Sequence, residues 1–261
     1  MDTVVDKVIS RDGTPIAYQQ SGSGPAIVLV GGAFCDRNFA APLVPLLAER
    51  FTVISYDRRG RGDSGDTPPY AVDREVEDLA ALIDVVGGSA YLYGVSSGAI
   101  LCVEAAAAGL PVSGLGLVEP PYDIDGGHRV PHLADEYVAL CGAGRRGDAV
   151  ALFMTKAVGQ PPEMVDQMKA TPMWPALEAL AHTLAYDAWV TARDLPSAER
   201  VASVTVRAVG IGSTTSPPWL RAGAQAIAKL LPSGRYAELD GEFHMPRPDL
   251  VAAELKSAFL D

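Results

Sequence analysis

The sequence has few cysteines and no long apolar run. Only three of its 261 residues are cysteine, and an odd number at wide spacing predicts neither a disulfide framework nor a zinc site. The longest apolar stretch, around residues 99–110, contains Glu104 and is shorter than the roughly 20 residues that cross a bilayer. Residues 1–10 lack the apolar segment of a signal peptide. We therefore expect a reduced, cytoplasmic protein that does not associate with membranes. The cysteines are Cys35, Cys102 and Cys141.

The chain also has fewer basic than acidic residues. The chain has 21 Lys and Arg residues against 32 Asp and Glu residues, which gives a formal net charge of −11. A negative surplus of this size repels nucleic-acid phosphates and anionic lipid surfaces, so we expect no nucleic-acid partner. Hydrophobic residues make up 48% of the chain and charged residues 20%, as in an ordinary globular protein with a sizeable core.

The order of the sequence patterns predicts the fold class. Short β-branched runs alternate with longer helical patterns, which is typical of a mostly parallel sheet covered by helices. Between Pro120 and Ser203 the alternation stops and only helical patterns recur. We predict an α/β core formed by residues 1–120 and 203–261, with a helical cap at residues 121–202. The eight predicted strands are Val4–Ser10, Thr14–Gln20, Ala26–Val30, Thr52–Tyr56, Ala90–Tyr93, Gly114–Val118, Val204–Gly210 and Arg235–Leu239.

One short motif points to nucleophilic chemistry. Gly94-Val95-Ser96-Ser97-Gly98 matches the G-x-S-x-G pattern, and it lies between a predicted strand and a nearly apolar helix. A sharp strand-to-helix turn strains the serine backbone and leaves little room for side chains two residues away, which explains the glycines. The turn exposes the serine hydroxyl at a helix N-terminus. Ser96 is therefore the candidate nucleophile.

With this motif, the chain resembles the cap-bearing α/β-hydrolase superfamily across nearly its whole length. Residues 56–64, Tyr-Asp-Arg-Arg-Gly-Arg-Gly-Asp-Ser, resemble the family's D-x-R-G-x-G-x-S turn, so the basic cluster is expected to be a structural loop. Gly31-Gly32-Ala33-Phe34 lies where the family has its oxyanion loop, usually written His-Gly-x, and Gly31 replaces the histidine. The resemblance implies an α/β-hydrolase fold: an eight-stranded, mostly parallel sheet flanked by helices, with an inserted helical cap.

The resemblance also implies roles for particular residues. His244 follows the last strand, as the family's catalytic histidine does, and a neutral imidazole can take the serine proton and return it to the leaving group. The expected oxyanion donors are the backbone N–H groups of Ala33 and Ser97, with Phe34 as the second choice to Ala33. His128, His132 and His182 lie in the predicted cap, where surface or lid positions are expected.

The third member of a triad is where the sequence departs from the family. The usual acid follows the seventh strand, but residues 210–217 contain no carboxylate. Some relatives place their acid after the sixth strand, where this chain has Glu119. Asp240 is the second candidate. A Ser–His dyad, with Ser213 or Thr214 orienting the imidazole, is the remaining alternative.

These residues predict an acyl transfer to water. The expected substrate is a small, largely apolar ester or lactone, held under cap residues that include Met154, Trp174 and Trp189; no metal or organic cofactor is implied. Two alternatives stay open: a cofactor-free perhydrolase or lyase that uses the same site, and a ligand-binding relative with negligible turnover. Dehalogenation is not expected, because an ether formed on Ser96 would not hydrolyse.

Overall fold

The computed structural model describes residues 4–260. Residues 1–3 and 261, which the sequence assigns to the α/β core, lie outside the described residues. The main sheet has eight strands in the order β1-β2-β4-β3-β5-β6-β7-β8, and a two-stranded ribbon pairs β9 with β10. The strands are β1 (Asp6–Ile9), β2 (Pro15–Gly22), β3 (Ala26–Val30), β4 (Thr52–Tyr56), β5 (Ala90–Val95), β6 (Val112–Val118), β7 (Ala208–Ser213), β8 (Gly234–Leu239), β9 (Gly241–Glu242) and β10 (Met245–Pro246).

Eleven α-helices connect or cover these strands within residues 4–260. A π-helical turn at Phe153–Ala157 extends the fifth helix, and a short 3-10 turn at Ala181–Thr183 precedes the eighth. The α-helices are α1 (Val44–Ala48), α2 (Val72–Val85), α3 (Ser97–Ala107), α4 (Leu133–Gly142), α5 (Arg146–Leu152), α6 (Pro162–Lys169), α7 (Trp174–Leu180), α8 (Leu184–Thr191), α9 (Ala198–Val201), α10 (Pro218–Leu230) and α11 (Pro248–Leu260).

Strand polarity brings four chain segments to one edge of the sheet. Strand β2 pairs antiparallel with β1 and β4, whereas β4, β3, β5, β6, β7 and β8 run parallel. The registers Val30↔Gly94, Val95↔Val118 and Val118↔Ile211 align the carboxyl ends of β3, β5, β6 and β7. Ligands of open α/β sheets bind at this edge, so the loops that follow these four strands are the place to look for a site.

Both faces of the sheet are buried under helices. All five residues of Ala26–Val30 are buried, as expected for a central parallel strand. One apolar cluster joins the sheet to α2, α3 and α10 through side chains such as Leu79 and Leu101. A second cluster joins the opposite face to α1 and α11 through Leu47 and Leu255. The α/β-hydrolase fold that the sequence predicts is therefore the fold of the chain.

The seventh strand lies further along the chain than the sequence pattern indicates. The predicted strand was Val204–Gly210, but β7 spans Ala208–Ser213. Val204 is instead part of a turn that follows α9, because its N–H donates to the carbonyl of Val201. Gly210 belongs inside the strand because α10 packs directly on it: a Cβ at this position would lie 2.4 Å from the Ala224 carbonyl oxygen.

Residues 121–202, here called the insert, hold helices α4–α9 and no described strand. The insert has an apolar cluster of its own, which includes Tyr137, Trp174 and Leu184. It is joined to the sheet domain by buried Glu104 of α3, whose carboxylate accepts hydrogen bonds from Arg193 at 2.9 Å and Arg200 at 2.6 Å. Across residues 4–260, every helix is too short or too polar to cross a membrane.

Candidate active site

Ser96 lies in the sharp turn between β5 and α3. Its backbone has φ 56° and ψ −124°, a region that side-chain-bearing residues rarely adopt. Both motif glycines are required by close packing: a Cβ at Gly94 would lie 2.5 Å from the Gly98 carbonyl oxygen, and one at Gly98 would lie 2.3 Å from the Val30 carbonyl oxygen. The chain can therefore make this turn only with glycine at both positions, and the turn leaves Ser96 on the cavity wall.

Glu119 and His244 are brought together from distant parts of the chain. Glu119 follows β6, and His244 lies in the two-residue turn between β9 and β10. The Glu119 Oε2 and His244 Nδ1 atoms are 2.8 Å apart. This contact is short, but it is not a fully formed hydrogen bond.

The Glu119 carboxylate is fully buried. Burial by itself would raise its pKa, but the close contact with His244, the hydrogen bond from the backbone N–H of Ser213 and the interaction with the Ser216 hydroxyl outweigh that penalty and hold the pKa below its ordinary value. The Ser213 N–H lies 2.7 Å from Oε1. A buried anion beside Nδ1 favours the tautomer in which Nδ1 carries the proton and Nε2 is free to accept one.

The alternative partners for His244 face elsewhere. Asp240 is largely exposed, and its carboxylate lies 3.8 Å from Arg247. The Thr214 hydroxyl contacts Asp240 and the Gly241 carbonyl, while the buried Ser213 hydroxyl has no described hydrogen-bond partner.

Ser216, which sequence reasoning missed, contacts both Glu119 and His244. Its hydroxyl interacts with the Glu119 carboxylate and accepts a hydrogen bond from the backbone N–H of His244 at 3.3 Å. A serine in a Ser/Thr-rich loop gave no signal that could have singled it out.

The predicted oxyanion loop lies against the serine. A Cβ added to Gly32 would lie 3.0 Å from the Ser96 Cβ and 3.7 Å from its Oγ, so glycine here lets the main chain approach the nucleophile. Within residues 4–260, the N–H groups of Ala33, Phe34 and Ser97 donate no backbone hydrogen bond. Ser97 is the first residue of α3, where an N–H has no partner within the helix. All three predicted donors therefore lack a backbone acceptor in the described residues.

Backbone strain is concentrated at this site. Five residues other than glycine have a positive φ in the described part of the chain, and four of them belong to the candidate site. Strain of this kind persists only where the surrounding structure enforces it, and it is common at functional sites. The four are Phe34 at 59°, Ser96 at 56°, Glu119 at 44° and His244 at 55°.

The basic cluster forms a buried structural loop, as its resemblance to the family turn implied. Arg58 pairs with Glu75, Arg59 pairs with Asp78 and Asp12, and Arg61 pairs with Asp187. All three guanidinium groups are almost fully buried. None of them is free to bind a nucleic acid.

The partner of Arg58 and Arg61, Asp187, was missed in the sequence. It lies in α8 of the insert and is buried, with its two carboxylate oxygens 2.7 Å from Arg58 and from Arg61. Burial tends to raise its pKa, but the charges of Arg61 and Arg58 and the hydrogen bonds from Ser97 and Arg58 keep the pKa below the ordinary value. A single carboxylate in the apolar run Leu-Ala-Tyr-Asp-Ala-Trp-Val was the available signal, because an isolated charge in such a run needs a buried partner.

Ser96, Ser97 and His244 open into one cavity of about 980 Å³. The sheet domain contributes the oxyanion loop, Tyr93 and Trp219, and the insert contributes Tyr137, Leu184 and other side chains. The exposed surface of the lining is mainly apolar, as in sites for small organic ligands.

Only one of the three predicted pocket residues lines the cavity. Trp189 lines the cavity, but Met154 and Trp174 do not. Both belong to the apolar cluster of the insert, where the Trp174 indole N–H donates to Glu178 at 3.0 Å. Helical spacing alone could not separate residues that face the cavity from those that face the insert's own core. His128 and His132 also line the cavity, whereas His182 does not.

Comparison with known proteins gives one consistent family. The sequence model described as the alpha/beta hydrolase family matches residues 27–254. A crystal structure of an alpha/beta hydrolase from Sphaerobacter thermophilus is 50% identical, with a TM-score of 0.90, and the match covers 97% of this chain and 100% of that one. The enol-lactonase from Burkholderia xenovorans is 22% identical with a TM-score of 0.73, over 98% of this chain and 100% of that one, and shows the same fold.

Two curated proteins are more distant relatives. The Bacillus subtilis protein named "Uncharacterized hydrolase YraK" is 34% identical over 106 residues, and this match spans only 39% of each chain. The Mycobacterium tuberculosis protein named "Putative non-heme bromoperoxidase BpoC" is 24% identical over 257 residues, which cover 94% of this chain and 97% of that protein.

Proposed function

Because the chain belongs to the alpha/beta hydrolase family, we propose that it is a serine hydrolase that cleaves a small, largely apolar carboxylic ester or lactone through an acyl-enzyme. One observation carries the proposal. Ser96 and His244 line the same cavity, and the His244 Nδ1 atom lies 2.8 Å from the buried Glu119 carboxylate. Nucleophile, base and orienting acid are the three groups that this reaction needs.

The proposed reaction proceeds in two steps at Ser96. His244 takes the hydroxyl proton as Oγ attacks the ester carbonyl, and the resulting oxyanion accepts hydrogen bonds from the N–H groups of Ala33 and Ser97. Collapse breaks the bond to the alkoxy group, which leaves with the proton from His244. Water then attacks the acyl-enzyme by the same route and releases the acid. Glu119 stabilises the imidazolium in both steps.

The cavity favours neutral, apolar substrates. Its lining is mainly apolar, and its volume lies at the upper end of those typical for small-molecule sites. The two arginines in the lining each have a carboxylate partner, Arg129 with Asp194 at 2.8 Å and Arg247 with Asp249 at 2.7 Å, which partly offsets their attraction for an acidic substrate. In this proposal the insert acts as the cap that covers the bound substrate.

The proposal includes a cytoplasmic location and a small molecule as the only partner that the activity needs. Three unpaired cysteines support a reduced setting. A net charge of −11 supports the absence of nucleic-acid binding.

Labelling and turnover test the proposal together. A fluorophosphonate should form an adduct on Ser96 of the folded protein, and peptide mass spectrometry locates the adduct. A panel of p-nitrophenyl esters and lactones should then be hydrolysed by the wild type and not by Ser96→Ala. If the protein binds esters or lactones of the panel tightly, but is not labelled by the fluorophosphonate and hydrolyses none of the panel, it is a ligand-binding relative and the proposal is wrong.

A second candidate reaction uses hydrogen peroxide in place of water. It is favoured by the match to the protein named as a bromoperoxidase, which extends over 94% of this chain. Peroxide would attack the same acyl-enzyme and release a percarboxylic acid, which oxidises bromide. Bromination of an acceptor that depends on peroxide, on a carboxylic acid and on Ser96 would identify this reaction. Hydrolysis that greatly exceeds bromination would assign the site to water.

A further inference from the structure

We infer that Asp187 is a positioning residue that couples the insert to the oxyanion hole, by fixing the orientation of both predicted donor peptides. The inference rests on the proposed function, since it concerns how the same reaction is stabilised. Asp187 is the buried carboxylate of α8 that contacts Arg58, Arg61 and the Ser97 hydroxyl. Arg61 contacts the peptide group that carries the Ala33 N–H, and Arg58 contacts the side chain of Ser97, the residue that carries the other predicted donor.

The first connection runs through Arg61 to Ala33. One arm of Arg61 donates to Asp187 Oδ2 at 2.7 Å, and the other makes a short hydrogen bond to the Gly32 carbonyl oxygen. That carbonyl belongs to the same peptide group as the Ala33 N–H, and in a trans peptide the C=O and N–H bonds point to opposite sides of the peptide group. A cation fixed on the oxygen side therefore holds the N–H away from Arg61, and it polarises the peptide so that the N–H becomes a stronger donor.

The second connection runs directly to Ser97. Its hydroxyl donates to Asp187 Oδ1 at 2.7 Å and accepts from Arg58 at 3.2 Å. Arg58 also donates to the Gly31 carbonyl at 3.2 Å. The Ser97 side chain is thereby fixed at the first position of α3, and with it the N–H that is the other predicted donor. The motif position after the nucleophile is thus bonded to the insert.

The charges in this cluster balance. Arg58 and Arg61 face Glu75 and Asp187, and all four side chains are buried. Removing the charge of Asp187 would leave a net positive charge below the oxyanion loop, and by Coulomb's law that change alone would stabilise the oxyanion and raise the rate. A fall in kcat on neutralising Asp187 is therefore opposite in sign to this electrostatic effect on the oxyanion, as expected for lost positioning. The sign of the effect separates the two explanations.

The test compares Asp187→Asn with Ser97→Ala and a control. Glu104→Gln is the matched control, because it removes another buried carboxylate that joins two insert arginines to α3 and does not line the cavity. For a p-nitrophenyl ester, Asp187→Asn should lower kcat by about 10²-fold, the scale of one lost oxyanion donor, with KM within about threefold. Ser97→Ala should lower kcat by about tenfold at unchanged KM. Glu104→Gln should keep kcat within about twofold of wild type.

Binding of an alkyl boronic acid gives a readout that a merely structural role would not change. Its tetrahedral adduct on Ser96 places an oxygen in the oxyanion hole, so its Kd should rise in Asp187→Asn and Ser97→Ala about as much as kcat falls. Thermal unfolding establishes which variants are folded. If Asp187→Asn does not fold, the kcat and boronic acid affinity of Ser97→Ala decide the inference by themselves.

The possible outcomes separate the two proposals. If the wild type neither labels at Ser96 nor turns over esters, the proposed function fails and this inference fails with it. If the wild type is active, but Asp187→Asn and Ser97→Ala match Glu104→Gln in kcat and boronic acid affinity, the proposed function stands and the inference alone is wrong. A rise in kcat on neutralising Asp187 would likewise overturn it.

Discussion

Replacing Glu119 by glutamine tests the relocated acid directly. Glutamine keeps the shape of the side chain, and its carbonyl oxygen can still accept the Ser213 N–H that Glu119 Oε1 accepts at 2.7 Å. Its NH₂ group, however, would face His244 Nδ1, which lies 2.8 Å from Oε2 in the wild type. An amide donor at that position favours the tautomer with the proton on Nε2. In that tautomer His244 cannot take the Ser96 proton.

The expected size of the effect follows from this exchange of partners. The equivalent acid-to-amide change in a serine triad lowers kcat by about 10⁴-fold, because the imidazole is held in the wrong tautomer. That factor corresponds to about 5.4 kcal/mol in activation free energy, at 1.36 kcal/mol for each tenfold change. We expect Glu119→Gln to approach this value, since the carboxylate is fully buried and water cannot replace it.

The assay is hydrolysis of a p-nitrophenyl ester by enzyme whose folding is verified by thermal unfolding. Asp240→Asn is the control, because this exposed carboxylate contacts Arg247 and not His244, and its kcat should stay within about twofold of wild type. Turnover of Glu119→Gln within a few-fold of wild type would remove Glu119 from the triad. A large loss in Asp240→Asn would show that the acid is the residue four positions before the histidine.

Three further predictions follow from the same geometry. Gly98→Ala should abolish soluble folded protein or greatly lower its Tm, because the new Cβ would lie 2.3 Å from the Val30 carbonyl oxygen; wild-type stability and labelling would contradict the close packing. Trp174→Ala should destabilise the protein by about 3–5 kcal/mol without changing the preference among ester chain lengths, whereas Trp189→Ala, at the cavity wall, should change that preference. The pKa of Glu119 is lowered in the folded state, so its contribution to stability is present above the ordinary carboxylate pKa and is lost as pH falls through the folded value. The Tm of the wild type should therefore fall more steeply than that of Glu119→Gln as the pH is lowered below about 5, and equal dependence of the two Tm values on pH would refute the lowered pKa.

Local sequence patterns were enough to predict the sheet and the turn that carries the serine. Seven of the eight predicted strands overlap the observed ones closely, because β-branched and apolar runs between helical patterns specify buried parallel strands locally. The prediction for β7 was displaced. Whether Val204 or Gly212 belongs to the strand depends on how α9 and α10 pack. Glycine has a low strand propensity, so Gly210 and Gly212 gave no local signal that β7 extends over them.

The individual candidates at the site were found from chain order and from the family resemblance. Glu119 could be named because a carboxylate that ends a buried strand needs a partner, and His244 because it follows the last strand. Their approach to 2.8 Å is a property of the fold. It depends on the parallel pairing of β6 with β7 and on the ribbon of β9 and β10, neither of which is encoded near either residue.

By itself, the sequence determined the features that act over short distances: which segments become strands, where the glycines permit a strained turn, and which residue types could perform acyl transfer. Tertiary structure alone decided which of those residues meet. Side chains that are 90 or more positions apart, such as Ser97 and Asp187, form one hydrogen-bonded cluster only after the insert packs on the sheet domain. Burial also gives their charges opposite partners, because an unpaired charge in the interior is too costly to keep.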